Sequence, residues 1–281
     1  MAEEQYAYRP EVISEEDVKS WIPALRNHTG LVRRLMHFLW IDRVNKVHST
    51  YYTNPGLPFS NALVDDEFKI RLRVDNEEIL DRFPTGAFIT VSNHPFGGFD
   101  GVVLIHLVGR HRPDFRVMVN MFLNRINAMQ PSFIAVDPSQ SDDPEKKKAT
   151  LQGIRTAMRQ LRDGHPVGFF PAGAVSKIDS SLHIRDRQWQ PTILRLIQQT
   201  KVPVVPIYFH GHNSLIFNML GLIDWRIRTL RLPKEFFLMR GKEIHVSIGE
   251  PVTPEELAQH PGLDDLGQFL RQRTYQLEKL K

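Results

Sequence analysis

The chain has 281 residues, 41% hydrophobic and 24% charged, with a net charge of +4 and an isoelectric point near 9.3. It is long enough to bury a sizeable core unaided. It has no cysteine, which excludes a thiol nucleophile, a cysteine-bound metal and a disulfide framework, and favours a reducing compartment. The modest positive excess suits an anionic partner such as an acidic protein or an anionic lipid surface, and equally a soluble enzyme with a basic bias. The first residues, MAEEQYAYRPEVISEED, lack the basic start and apolar stretch of a secretory signal, so none is expected.

Residues 14–50 are predicted helical, opening on the capping-type start Ser14-Glu15-Glu16-Asp17. Within them LVRRLMHFLWIDRVNKV (31–47) reads as one basic amphipathic helix. Such a helix either packs on the core with a solvated basic face, the reading favoured here, or lies on an anionic membrane. Asn54-Pro55-Gly56 marks a turn. PFSNALVDDEF is then a short helix, FKIRLRV an alternating strand and GAFITVSN a second strand. GVVLIHLVGR is a helix, FRVMVN a strand, FLNRINAMQ a short helix and FIAVD a strand. Pro144 to Arg162 is a long helix, followed by strand VGFF, helix PTILRLIQQT and strand VPVVPIYF. EFFLMRG and KEIHVSIGE are predicted as a late antiparallel strand pair, and a last helix runs from about Leu263.

The longest stretch without Asp, Glu, Lys or Arg, Val202 to Ile223, contains Pro203, Pro206, His210 and Asn213. It is expected to be a buried strand, a turn and a short apolar helix, not a bilayer crossing. Strands alternating with helices indicate an α/β fold: a mainly parallel central sheet flanked by helices. With no linker dividing the chain, residues 1–50 are expected as an N-terminal helical extension and residues 51–281 as one α/β domain.

In such sheets chemistry gathers at the carboxyl ends of the strands. Three stretches fall there: SNHPFGGFD, PAGAVS and HGHNS. In the first, His94 can take a proton from a hydroxyl and Asp100 can orient the imidazole, with Pro95, Gly97 and Gly98 folding the chain back between them. Alternatively, Asp100 caps a helix beginning near Gly101 and His94 merely ends a strand. In the second, backbone N–H groups around Gly173 can hold an oxyanion, or the stretch is simply a turn. In the third, His210 and His212 could ligate a metal, but no third ligand is evident nearby. No metal site is assigned, and His210 and Asn213 read as polar groups of a pocket or as satisfied core residues.

Together these stretches resemble the boxes of the glycerolipid acyltransferase superfamily, the HxxxxD type. NHPFGGFD resembles the first box, FFPAGAVS the third and VPVVPIYFHGHNS the fourth, with FLNRINAMQPSFIAVDP where an Arg-containing second box is expected. The resemblance covers roughly residues 50–255. It is nearest to the bacterial hemolysin-like branch, which includes O-acyltransferases of ornithine- and glycine-type aminolipids.

The resemblance implies His94 and Asp100 as catalytic residues. It implies Asn93, Phe96, Gly97, Gly98, Arg125, Pro171, Ala172, Gly173, Ser176, His210 and Asn213 as substrate-binding residues. Acyl chains would lie near Phe96, Phe99 and the segment 215–223. It also implies no bound cofactor, an acyl donor on acyl carrier protein or coenzyme A, a lysolipid acceptor, and no nucleic acid. An anionic membrane surface is the remaining partner, at the cytoplasmic face of the inner membrane, with peripheral attachment.

Two features depart from the family pattern. Five residues separate His94 from Asp100 where four are usual. Ala172 and Val175 stand where FPEGTRS-type boxes carry a Glu and an Arg that help hold a phosphate acceptor. Fewer charges there favour a lyso-aminolipid carboxylate over a phosphomonoester, with Arg125, Lys177 or Arg185 as its possible partner. The alternatives are a 1-acylglycerol-3-phosphate acyltransferase and a lipid-binding or membrane-perturbing protein without catalysis.

Overall fold

The computed structural model describes residues 9–137, 143–179 and 183–280, so the first eight residues of the expected extension lie outside the described residues. Helix α1 (Glu15–Trp21) starts as anticipated. The Ser14 hydroxyl accepts the Asp17 N–H at 3.1 Å, and the Asp17 carboxylate accepts the Ser14 N–H at 2.9 Å.

The stretch 31–47 is not one helix. It divides into α2 (Thr29–Phe38) and α3 (Ile41–Tyr51), with Trp40 between them in the left-handed region at φ 63°. Packing accounts for the break: the Trp40 ring lies 5.5 Å from that of Phe237 and carries the Arg43 guanidinium on its face at 3.6 Å. Val32, Met36 and Ile41 turn inward onto Val12, Ile13 and Val18, a small core of their own, while Arg33 faces solvent.

Next come α4 (Leu57–Asn61), which runs into a wide helical turn at Ala62–Glu67, then β1 (Arg71–Asp75), α5 (Glu78–Asp81) and β2 (Ile89–Ser92). Helix α6 (Gly98–Gly109) is buried from Phe99 to Gly109, as its all-round apolar sequence requires. After β3 (Arg116–Asn120), FLNRINAMQ forms two tight 3-10 turns instead of an α-helix. The Asn120 side chain caps the first, and Pro131 falls inside the second. The chain continues through β4 (Phe133–Val136), α7 (Pro144–Arg162), β5 (Val167–Phe169) and the small hairpin β6 (Lys177–Ile178) with β7 (Ile184–Arg185). Then follow α8 (Pro191–Thr200), β8 (Val204–Phe209), α9 (Leu215–Ile223), α10 (Trp225–Leu230), α11 (Leu232–Leu238), β9 (Glu243–Ile248), α12 (Pro254–Ala258) and α13 (Leu263–Gln276).

The expected strand EFFLMRG is helical, in α11 and the turn after it. Pro233 opens that helix, and both successive phenylalanines find aromatic partners: Phe236 meets Phe99 edge-on at 5.2 Å, and Phe237 meets Trp40 and Phe68. A strand would send the two rings to opposite faces. The late antiparallel pairing is therefore made by β9 with β8, not with EFFLMRG.

The central sheet has the order β1-β9-β8-β2-β5-β3-β4. Strands β8, β2, β5, β3 and β4 are mutually parallel, and β1 and β9 run the other way. One core lies between the sheet and α6, and a second between the sheet and α7, α8 and α13. Register places Val91 beside Phe169 and Ser92 beside Ile207, so β2, β5 and β8 end together, with the three sequence stretches following those ends. The uncharged stretch 202–223 supplies β8, a turn and α9. Among the described residues no helix is long and apolar enough to cross a membrane.

Gly168, in the central strand β5, leaves no room for a side chain. A Cβ there would stand 2.6 Å from Phe115 Cζ and 2.9 Å from Thr90 Oγ1. Gly168→Ala is expected to destabilise the fold by about 1–3 kcal/mol, measured as a lower urea midpoint at unchanged m-value.

Candidate active site

His94 follows β2 and Asp100 lies in the first turn of α6, joined by the bend at Gly97. Gly97 has φ 79°, a left-handed conformation, and a Cβ on it would press on Leu232 and Val175 at 3.0 and 3.2 Å. The bend returns the chain so that Asp100 Oδ2 stands 2.9 Å from His94 Nδ1. The contact is short but not aligned as a straight hydrogen bond, and Nδ1 has no other partner among the described residues. The Asp100 carboxylate also accepts the N–H groups of Phe96 and Gly97 at 3.0 and 3.1 Å. Asp100 therefore supports the start of a helix, at Gly98 rather than Gly101, and also meets the imidazole. Asp100 is wholly buried. Burial pushes its carboxyl above the usual carboxylate range, against the pull of His94 and the Phe96 N–H.

Three further contacts fix the histidine. The Phe170 ring stacks on it, centroids 4.3 Å apart and planes 30° from parallel. Its backbone N–H donates to Asp186 Oδ1 at 3.1 Å, while its carbonyl accepts the Ser176 N–H at 2.9 Å. Ser176 Oγ in turn donates to Asp186 Oδ1 at 2.6 Å. Asp186 Oδ2 is buried without a hydrogen-bond partner among the described residues, and burial raises this carboxyl too. With Nδ1 turned to Asp100, Nε2 is the ring nitrogen left for a substrate.

His94 lines a cavity of about 230 Å³ with Gly97, Gly98, Gly173, Gln190 and a largely apolar wall that includes Met118 and Leu123. A larger cleft, about 1170 Å³, lies between the N-terminal helices and the Met121–Arg125 turn. It does not reach His94, and ion pairs such as Arg33–Glu15 and Arg125–Asp17 occupy its walls. The smaller cavity is the one that His94 lines.

The expected site residues divide. Gly97, Gly98 and Gly173 join His94 at the cavity. The N–H of Gly173 is already spent on the Phe170 carbonyl, so it is not a free oxyanion donor. Pro171 accepts the Gln190 N–H, and Ala172 is packed into the core. Asn93 fastens β2 to β8, accepting the Phe209 N–H at 2.7 Å and donating to its carbonyl at 2.8 Å. Phe96 and Phe99 are buried among core side chains, so neither offers a surface to an acyl chain. Arg125 pairs with Asp17 at 3.1 Å and lines the larger cleft, away from His94. Ser176 is buried against Asp186, and Asn213 is buried and accepts from the Asn218 amide.

His210 turns away as well. Its ring stacks on His245 at 3.8 Å, and its Nε2 lies 2.7 Å from Ser247 Oγ. Asp75, His210 and His245 bring ligand atoms within 4.8 Å of one another, yet Ser247 and Asp75 already bond the two imidazoles. His212 faces the Asn213 carbonyl instead of joining His210.

Phe170, Asp186, Gln190 and Arg228, whose guanidinium donates to the carbonyls of Val175 and Ser176, carry no assignment in the sequence. Phe170 was visible in the quoted third box. The other three are brought in by loops and by α10, and no local spacing marks them.

A family profile described as acyltransferase matches residues 18–280. The chain belongs to the acyltransferase family. Its match takes in most of the N-terminal helices as well as the sheet. The acyltransferase is similar to the lyso-glycine lipid O-acyltransferase of Phocaeicola vulgatus, at 27% identity over 254 residues, 88% of this chain and 87% of the relative. It is also similar to the lyso-glycine lipid O-acyltransferase of Bacteroides thetaiotaomicron, at 28% identity over 218 residues, 75% and 76% of the two chains. The solved structure of the 1-acyl-sn-glycerophosphate acyltransferase PlsC from Thermotoga maritima shares the fold, with a TM-score of 0.50 at 15% identity, covering 84% of this chain and 78% of that one.

Two outcomes test this geometry. A carboxyl whose folded pKa is raised holds its proton more tightly in the native state. The resulting stability is present at low pH and lost as pH rises through that value. Asp186→Asn removes this loss, so urea unfolding of the variant and wild type is expected to shift in the variant's favour from about pH 4 upward. A difference that does not change with pH would refute the buried, unbalanced charge. Gly173 has φ 66° and lies so close to Gln190 that a Cβ would stand 2.0 Å from Nε2. Gly173→Ala is expected to push Gln190 out of the cavity and to lower kcat while the protein still folds, read from initial rates beside a circular dichroism spectrum.

Proposed function

We propose that this acyltransferase moves an acyl group from a thioester, on acyl carrier protein or coenzyme A, to the hydroxyl of a lyso-aminolipid of the glycine-lipid type. The observation that carries the reading is the contact of His94 with a buried Asp100 beside an apolar cavity. Relatives named for O-acylation of a lyso-glycine lipid support it.

His94 Nε2 takes the hydroxyl proton as the oxygen attacks the thioester carbonyl carbon. The C–S bond then breaks, the proton passes to the departing sulfur, and an ester and a free thiol leave. Asp100 holds the ring in place and balances the imidazolium. The Phe170 stack limits ring rotation. The Gln190 amide, standing against Gly173 in the same cavity, is the donor nearest to hand for the oxyanion. Met118, Leu123, Ile154 and Ile193 offer the cavity wall a hydrocarbon chain would contact.

The acceptor assignment follows from charge. Ala172 is core and Val175 is apolar, and Arg125, Lys177 and Arg185 do not line the cavity. A phosphomonoester would find few partners there, whereas a single carboxylate requires fewer. The enzyme works peripherally at the membrane holding its acceptor, on the cytoplasmic face of the inner membrane, within reach of its thioester donor.

His94→Ala is expected to lower kcat by roughly a hundredfold to ten-thousandfold, followed by mass spectrometry of the acylated product. Turnover near that of wild type would remove the general-base role. Purified protein offered lyso-glycine lipid, a lyso-ornithine lipid and lysophosphatidic acid, each with acyl carrier protein and coenzyme A thioesters, is expected to prefer the glycine lipid. Preference for the phosphate acceptor would sink the aminolipid reading.

A further inference from the structure

Helix α9 wears its apolar side outward. Leu215, Ile216, Met219, Leu222 and Ile223 are 56–76% exposed, while Phe217 and Asn218 point into the protein. The outward residues recur at the spacing of one helical face. Helix α10 extends the patch with Trp225, Ile227 and Leu230, each also exposed. An apolar surface of this extent on a folded chain marks a contact with something.

The charges around it indicate what. Between Ser214 and Lys234 the chain has Arg226, Arg228, Arg231 and Lys234 against a single acid, Asp224. Asp224 caps α10 by accepting the Arg226 N–H. Glu235, just beyond, is buried and bonded to Ser214 and Arg231. Arg228 is buried and Arg231 is paired with Glu235, so the positive charge at the rim is carried by Arg226, exposed beside Trp225, and by the half-buried Lys234.

We infer that the α9–α10 face is the surface by which this acyltransferase lies on an anionic lipid membrane. An interfacial helix buries its apolar side about 5–10 Å deep, with basic side chains at the headgroups. A second copy fits less well, because a two-fold contact would bring Arg226 and Lys234 of both copies into one apolar interface with Asp224 as the single acid between Ser214 and Lys234. The segment 31–47, by contrast, is broken at Trp40 and packs Val32, Met36 and Ile41 inward, as the favoured reading of it expects.

The docking face adjoins the catalytic bend. Arg228, on α10, donates to the carbonyls of Val175 and Ser176 at 2.9 and 3.1 Å. Leu232, at the start of α11, lies against Gly97. A lysolipid held in the bilayer would meet His94 without leaving it; that sense of the inference rests on the function proposed above.

The test is sedimentation of the full chain with vesicles of phosphatidylcholine, with and without phosphatidylglycerol. Wild type is expected to bind the anionic vesicles. Leu222→Glu/Ile223→Glu should weaken binding by roughly tenfold or more. Arg226→Glu should weaken it about fivefold or more on anionic vesicles and little on neutral ones. Both variants are expected to keep the wild-type circular dichroism spectrum, and Arg226→Glu to acylate detergent-dispersed lyso-glycine lipid at the wild-type rate. Vesicle binding unchanged in the folded double variant overturns the inference. So does a wild-type dimer on gel filtration that the double variant converts to a monomer. Vesicle binding lost in the variants, with no acyl transfer even by wild type, upholds this surface and defeats the function proposed above.

Discussion

A carboxylate cut off from water must be answered by its neighbours, and the arrangement of the site follows from how Asp100 is answered. Its oxygens collect the N–H groups of Phe96 and Gly97 and face the His94 imidazole, so one buried acid shapes the bend and aims the ring. The start of α6 favours a negative side chain in its first turn. The helix is buried along its length, packed on every side by the core. The bend can form only because Gly97 accepts a left-handed backbone between Val175 and Leu232. The bend and the start of α6 thus both answer one side chain, and the proposed chemistry uses the same side chain.

Asp186 supports the ring from the other side. It bonds the His94 N–H and the Ser176 hydroxyl, while its own N–H donates to the Tyr275 hydroxyl at 3.0 Å. The C-terminal helix α13 is thereby tied to the bend that carries His94, through two residues far apart in sequence. Arg228 completes the enclosure, its buried guanidinium on the carbonyls of Val175 and Ser176. The third box lacks its own Arg, yet a guanidinium from α10 stands next to it, spent on backbone oxygens.

Much of this was legible in the sequence where the signal is local. Alternating apolar strands and an all-apolar helix gave the α/β architecture and α6, and Ser14 with Asp17 announced the start of α1. His94 and Asp100 could be picked out because histidine, glycine bend and acid lie within one short stretch. What failed depends on distant packing. Trp40 breaks a continuous helical pattern because Phe237 waits for it. EFFLMRG has strand-like composition but coils because Phe236 and Phe237 each have an aromatic partner elsewhere. His210 and Arg125 looked available as polar residues near box positions. The fold points one at His245 and the other at Asp17. Asp186 has no motif around it, and only the folded chain brings it to His94.

The five residues between His94 and Asp100, where the family pattern it resembles has four, include the left-handed turn at Gly97, and Asp100 Oδ2 still stands 2.9 Å from His94 Nδ1. Proton transfer responds to ångströms, not to peptide units counted along a chain. A recognition pattern with a rigid gap length will therefore pass over chains like this one while they keep the very juxtaposition it was written to find.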